Sequence, residues 1–334
     1  MAALPNTPFI SKPDVTVYDI LGPDERRDVS NLTDLDSSLA EFFIEFKGSL
    51  DPFCKDMKLS SQKSSLPFAN IEGVHGTVLG QITSYATLIL GSQHRTHTFL
   101  VLILKEYARL IRWDRSGAIV TEPIHFDQPF FYSFFIRYNN ASRKVRGHDT
   151  TIHLPYDHED KAACAVIQEL ALHCTPDGSP RPRLLTVTKP CLLVIPAELG
   201  YQYDIPAGRW TRTFVAYDVD QKKCVFLKDS WWLHFNGVPS EGNVYRKLQK
   251  HNVPNIPCFH FAGDVDIKDH RTETCQSAEA LGFGTFKSYL HYRLVLDTIG
   301  RPLKKFSSSF ELVNAVYSAL LGRSTSPQHI GSVA

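Results

Sequence analysis

The chain has 334 residues, of which 43% are hydrophobic and 21% charged, with a formal net charge of +1. That length exceeds one ordinary core and suits two domains, and the composition is that of a folded protein rather than a disordered or fibrous one. The near-zero charge excludes a global field that would draw the chain to nucleic acid or an anionic membrane. The seven cysteines, odd in number and without a CxxC pair, signal neither a disulfide framework nor a zinc site.

The opening MAALPNTPFISK lacks a basic flank before an apolar core, and the longest apolar run, residues 99–104, is far short of a bilayer span. The expectation is a reducing intracellular compartment, cytoplasmic or nuclear, with no signal peptide and no membrane partner. Residues 14–20 and 42–46, β-branched and aromatic between turn formers, read as strands. Residues 61–69 read as a loop and 80–90 as a helix. Residues 98–110 and 111–120 read as paired strands with a turn near Asp114, Arg115, Ser116 and Gly117. The aromatic stretch 129–139 and the Ala-rich stretch 160–173 read as helices. Pro, Gly, Asp and Ser crowd into 175–183, the expected linker.

Beyond it, 184–195, 213–218 and 223–227 read as strands and 242–250 as a short helix, followed by strands at 258–261 and 291–296. Ser308 and Glu311 form a capping box for a final helix, 309–321. Val313, Val316, Tyr317, Leu320 and Leu321 share one of its faces, and Gly322 closes it. The expected division is 1–174, linker 175–183, 184–322, and a disordered polar tail 323–334. No repeat recurs at a fixed period.

An ordered set of pieces in the C-terminal half carries the strongest signal. A strand, Val225-Phe226-Leu227-Lys228, ends in a lysine, and Glu241 opens a helix soon after. That is the order in which a protein kinase pairs its third-strand lysine with a glutamate of the next helix, so that the lysine can hold nucleotide phosphates. From Glu241 the sequence runs seven positions to Leu248 and into Asn252-Val253-Pro254-Asn255-Ile256. With FVAYDVDQKKCVFLKDSW, HYRLVLDTIGRPL and RTHTFLVLILKEYARLIRWDRSGAIVTEPI, these stretches resemble the fungal-type protein kinases.

The resemblance implies a protein-kinase-like N-lobe of five strands and one helix, ATP as ligand with Mg2+, a protein substrate or regulatory partner, and family phosphorylation of protein Ser or Thr. It implies Lys228 as the phosphate lysine, Glu241 as its partner, and a phosphate-covering turn at Gly208, Arg209 and Thr211. That turn has one glycine where kinases generally have three. A hinge is implied at Asp297, Thr298 and Ile299. No His-Arg-Asp or Asp-Phe-Gly follows the final helix. Asp269-His270-Arg271 and Gly282-Phe283-Gly284 imitate those motifs in the wrong place and read as a surface insertion. The chain is therefore expected to be inactive as a kinase, with an incomplete C-lobe: a pseudokinase acting as a binding or regulatory module, or a truncated gene product.

A second constellation lies in the first 90 residues. Asp14 heads a strand, Glu45 and Lys47 lie two apart on another, and Gln81 and Tyr85 lie four apart on a helix, each pair sharing a face. This resembles the PD-(D/E)xK nuclease superfamily with its QxxxY accessory motif. The resemblance implies a restriction-endonuclease-like N-terminal domain in a mixed α+β chain. It also implies Asp14 and Glu45 as Mg2+ ligands, Lys47 positioning the nucleophile, and nucleic acid as substrate. Asp34 and Asp36 compete with Asp14 for the first position. The candidates for a basic stripe, Arg95, Arg109, Arg112 and Arg115, read as solvated strand ends. Trp231, Trp232 and the aromatics of 130–138 read as packing residues. His94 and His97 lack a further ligand at metal spacing, so no structural metal is expected.

Overall fold

The computed structural model describes residues 12–19, 36–53, 69–153, 163, 165–166, 184–188, 193–196, 206–233, 238–267, 270–271, 289–300 and 303–325. The linker expected at 175–183, most of the helix expected at 160–173, all but the last residue of the loop expected at 61–69, Asp34, Asp269, Gly282 to Gly284 and residues 326–334 of the tail expected at 323–334 lie outside these residues. The chain forms two compact units. One comprises Met1–Asp149, Gly200–Gly208 and Thr274–Phe286; the other comprises Thr150–Leu199, Arg209–Glu273 and Lys287–Ala334.

In the first unit the strands are β1 (Val15–Tyr18), β2 (Ala40–Phe46), β3 (His97–Ile103), β4 (Tyr107–Asp114), β5 (Gly117–Val120) and β6 (Ile124–His125), with helices α1 (Gly73–Ser92) and α2 (Pro129–Asn140). The sheet order is β1-β2-β3-β4-β5, with β6 also on β4. β2 and β3 are parallel, and α1 makes the crossover between them, as a parallel pair requires. Lys47 and Lys105 extend that ladder, their N–H groups donating to the carbonyls of Ile103 and Gly48 at 3.0 and 2.8 Å.

Period-2 alternation along β2 gives the sheet two buried faces. Phe43 meets Tyr85 of α1 edge-to-face at 5.4 Å, while Phe42 on the other face meets Tyr138 of α2 at 4.8 Å. Phe131, Phe134 and Phe135 join the second cluster, so the aromatic stretch is mainly packing surface. The expected pair of strands over 98–120 is three, because the chain also turns between Ile103 and Tyr107.

The expected solvated arginines are a correction. Arg95, Arg109 and Arg115 are 3%, 3% and 1% exposed. Their guanidinium forks are spent on internal acceptors: Arg95 on the carbonyls of Ala40 and Arg146, Arg109 on Asp51 and the Thr121 carbonyl, Arg115 on the carbonyls of Arg95 and Pro206. Arg112 pairs with Asp114 at 2.6 Å. Arg95, Arg109 and Arg115 are therefore structural side chains rather than solvated strand ends.

The second unit holds β7 (Ile152–His153), β8 (Leu184–Val187), β9 (Leu193–Pro196), β10 (Arg212–Asp218), β11 (Lys223–Leu233), helix α3 (Glu241–Lys250), β12 (Phe259–Asp264), β13 (Asp266–Ile267), β14 (His270–Arg271), β15 (Tyr289–Leu296) and helix α4 (Ser309–Thr325). Its sheet has seven strands in the order β12-β15-β11-β10-β9-β8-β7, against five expected. The stretch 184–195 turns back on itself as the β8–β9 hairpin. β7 adds a further edge through Ile152 and His153, so the second unit takes up chain well before the expected linker. His270 and Arg271 sit in the small β13–β14 hairpin between β12 and β15.

One sheet face packs Leu193, Ile195, Phe214, Val225, Leu227 and Val295; the other packs Phe226, Tyr245, Tyr292, Leu294 and Leu296. α4 runs to Thr325, past its expected end. Gly322 does not close the helix: it is buried inside it, where a Cβ would stand 2.9 Å from the Pro254 carbonyl oxygen. The capping box also differs, since Ser308 Oγ accepts from the Glu311 N–H at 3.2 Å while the Glu311 carboxylate turns to Ser307. Among the described residues, no helix is long and apolar enough to cross a membrane.

Candidate functional site

Lys228 lies mid-strand, because β11 continues to Leu233 rather than ending at the lysine. Alternation puts Lys228 on the α3 side of the sheet with Phe226 and Trp232. Helix α3 starts beside it. Ser240 is the N-cap, its hydroxyl accepting from the Asn243 N–H at 3.4 Å, which makes Glu241 the first helical residue. The Lys228 ammonium donates to both Glu241 oxygens, at 2.8 and 2.7 Å. The two side chains are 23% and 32% exposed, shielded yet open to a ligand. The helix N-terminus further favours the carboxylate.

Two residues that sequence reasoning missed hold the helix start. The Gly242 N–H donates to the Tyr292 hydroxyl at 2.9 Å. A Cβ on Gly242 would stand 2.5 Å from that hydroxyl and 2.4 Å from the Ala262 Cβ, so only glycine permits this approach. Burial raises the Tyr292 pKa, which keeps the phenol protonated. A glycine just inside a helix start is the signal that could have found the contact.

The other nucleotide-site candidates are less well gathered. Gly208, at φ +111°, groups with the first unit, and its N–H donates to the Arg115 carbonyl at 2.9 Å. The Arg209 carbonyl accepts from the Trp231 N–H at 2.7 Å, and Thr211 follows buried Trp210 immediately before β10. Asp297 pairs with Lys223 at 2.9 Å and its N–H donates to the Cys258 carbonyl.

In the first unit all five nuclease-like candidates meet. Glu45 is 1% exposed. Its Oε1 accepts from Lys47 Nζ at 2.5 Å and from Gln81 Nε2 at 2.8 Å, and its Oε2 accepts from the Asp14 N–H at 3.3 Å. Asp14 Oδ2 accepts from the Phe46 N–H at 2.8 Å. Gln81 also donates to the Tyr85 hydroxyl at 2.6 Å, and that hydroxyl donates to the Lys12 carbonyl at 2.9 Å. Burial, followed by the Glu45 charge, pushes the Tyr85 pKa upward. Asp36 is used elsewhere, accepting from the Ser38 N–H at 2.9 Å.

The model of the fungal protein kinase family matches residues 69–288. That is well over half of the chain. The chain belongs to the fungal protein kinase family. No curated protein and no solved structure matches it. The match covers Lys228 and Glu241 of this family member and reaches upstream to Gln81 and Tyr85, while Asp14, Glu45 and Lys47 precede it. Among the described residues of this fungal protein kinase family member, no group of three or more His, Cys, Asp or Glu is placed to hold a metal ion.

Proposed function

We propose that the second unit is a nucleotide-binding lobe that captures ATP through Lys228, with Glu241 holding the lysine ready. The observation that carries the reading is the bidentate Lys228–Glu241 pair on the strand-to-helix contact of an antiparallel sheet. In a kinase that pair orients the nucleotide's phosphates, and transfer to a protein hydroxyl also needs a catalytic aspartate and Mg2+-binding side chains. Among the described residues no group of three or more His, Cys, Asp or Glu is placed to hold a metal ion. The proposed role of this unit is nucleotide binding, with Mg2+ arriving on the nucleotide. A thermal shift with MgATP that disappears in Lys228→Met tests it; an undiminished shift in the variant removes it.

A second reading rests on the meeting of Asp14, Glu45, Lys47, Gln81 and Tyr85: a PD-(D/E)xK-like phosphodiester site. Two carboxylates are a donor set that Mg2+ accepts together with water and phosphate oxygens, so the residues fit the ion. Asp14 and Glu45 would hold Mg2+, which supplies a Lewis acid for water activation. Lys47 neutralises Glu45 in the present arrangement and would position the attacking oxygen. Gln81 fixes the Glu45 carboxylate and is itself held against Tyr85. Nicking of plasmid DNA with Mg2+ that is lost in Glu45→Gln supports this reading; no cleavage with any divalent metal removes it.

A further inference from the structure

The donors on Glu45 differ in what holds them. Gln81 Nε2, 2.8 Å from Oε1, is braced by the Tyr85 hydroxyl at 2.6 Å, and that hydroxyl is anchored on the Lys12 carbonyl at 2.9 Å. The Asp14 N–H, 3.3 Å from Oε2, belongs to a residue whose own carboxylate accepts from the Phe46 N–H at 2.8 Å. Both donors are tied to main chain. The Lys47 ammonium, 2.5 Å from Oε1, is held differently. The Lys47 backbone N–H is fixed on the Ile103 carbonyl at 3.0 Å, but the charge rides on a flexible four-carbon stem whose side chain is 21% exposed, against 1% for Glu45. A movable cation thus neutralises a carboxylate that fixed donors orient.

We infer that Lys47 couples the binding of a divalent cation to that of a phosphodiester, occupying Glu45 until a diester phosphate draws its ammonium away. The inference rests on the PD-(D/E)xK-like reading of this site. With an ion on Glu45 and Asp14, the Glu45 carboxylate would be shared between that ion and the ammonium, and two cations on one buried carboxylate repel strongly where water screens little. The described residues bring no third carboxylate, histidine or cysteine to compensate. An ion held by two carboxylates takes its remaining oxygens from water and phosphate. A phosphodiester removes both obstacles, because one of its anionic oxygens can accept from Lys47 while the other completes the ion's shell. Glu45 keeps its aim meanwhile, since Gln81 and the Asp14 N–H stay in place. The coupling is reciprocal, so the ion strengthens diester binding by the same factor.

Mn2+ binding to the full chain, read from the loss of the free-ion electron paramagnetic resonance signal, tests the coupling independently of cleavage, with dimethyl phosphate as the diester. The wild-type chain should bind Mn2+ about tenfold more tightly in excess dimethyl phosphate than without it. Lys47→Met should bind Mn2+ about tenfold more tightly than wild type when the diester is absent, and should gain less than about twofold from its addition. Glu45→Gln should bind little Mn2+ in either condition. Equal Mn2+ affinity in wild type and Glu45→Gln removes the metal site and the coupling with it. Where wild type outbinds Glu45→Gln, the site stands, and two results overturn the coupling alone: a wild-type affinity that dimethyl phosphate leaves unchanged, or a diester gain in Lys47→Met equal to that of wild type. If Lys47→Met fails to fold by far-UV circular dichroism, the wild-type comparison with and without dimethyl phosphate decides.

Discussion

Replacing Lys228 by Met removes the ammonium while keeping most of the side chain's length and apolar stem, so it separates charge from packing. Both partners of the pair are partly exposed, at 23% and 32%, which limits the pair's worth to about 1 kcal/mol. The orphaned Glu241 carboxylate stays at the first turn of α3, where the helix dipole and water still accommodate it. The basal melting temperature of the second unit should fall by only about 2–4 °C. Ligand linkage gives the contrasting number. With about 5 mM MgATP and a Kd near 0.5 mM, the wild-type chain gains about 1.4 kcal/mol, a rise of roughly 3–6 °C. Lys228→Met should lose that rise, whereas Lys250→Met, at the far end of α3, should keep it. Differential scanning fluorimetry with and without MgATP reads both quantities. An equal nucleotide shift in wild type and Lys228→Met would refute the reasoning.

Gly242→Ala should cost about 1–3 kcal/mol, because its Cβ would overlap Tyr292 and Ala262, and should abolish the MgATP shift by moving Glu241; a full shift with unchanged stability contradicts the positioning role. Glu45→Gln should lower Mg2+-dependent plasmid nicking by about two orders of magnitude, since the proposed site would lose one of its two metal-holding carboxylates, while Asp36→Asn should leave it intact; equal loss in both counts against the assignment. The first unit should lose stability on acidification. Burial holds His148 below the ordinary histidine range and His97 down at about 3, so both are neutral when folded, and the unfolded chain takes up more protons below about pH 6.5. Each should contribute a slope of up to about 1.4 kcal/mol per pH unit as pH falls. Glu41, buried yet kept ionised by His148 and Arg95, adds to the loss once unfolded glutamate protonates, below about pH 4.5. Melting curves followed between pH 7 and 4 should fall steadily for the first unit; a flat profile excludes the scheme.

What the sequence made legible was local order. Lys228, Glu241, Leu248 and the Asn252-to-Ile256 turn stand in a fixed sequence of pieces, and strand-then-helix order alone brings the first two together. Glu45 with Lys47 and Gln81 with Tyr85 obey the periods of strand and helix, so their shared faces were also readable. What it hid depended on contacts distant along the chain. The Arg95, Arg109 and Arg115 side chains looked solvated because their acceptors are mostly main-chain carbonyls, which have no sequence signature. The β8–β9 hairpin looked like one strand because its two apolar runs lie close together along the chain, and the breaker signal of Lys189 and Pro190 between them was outweighed. Gly322 looked like a terminator because a glycine near a helix end usually is one, whereas here its missing Cβ admits the Pro254 carbonyl.

The two candidate sites differ in how firmly their geometry is held. Glu45 is almost fully buried and uses both oxygens on Lys47, Gln81 and the Asp14 N–H, so its carboxylate has little freedom without loss of charge-assisted hydrogen bonds. Any ligand there must replace partners already in place. Glu241 meets one ammonium at an open helix start, and the rigidity behind it comes from neighbours: the Ser240 cap, and the Gly242 N–H on the Tyr292 hydroxyl. A phosphate approaching Lys228 can therefore share the ammonium with Glu241 without breaking a buried network, which is the behaviour expected of a group that binds and releases a nucleotide. The strand fixes the lysine, the helix start fixes the carboxylate, and the ligand is left the exposed remainder of the ammonium.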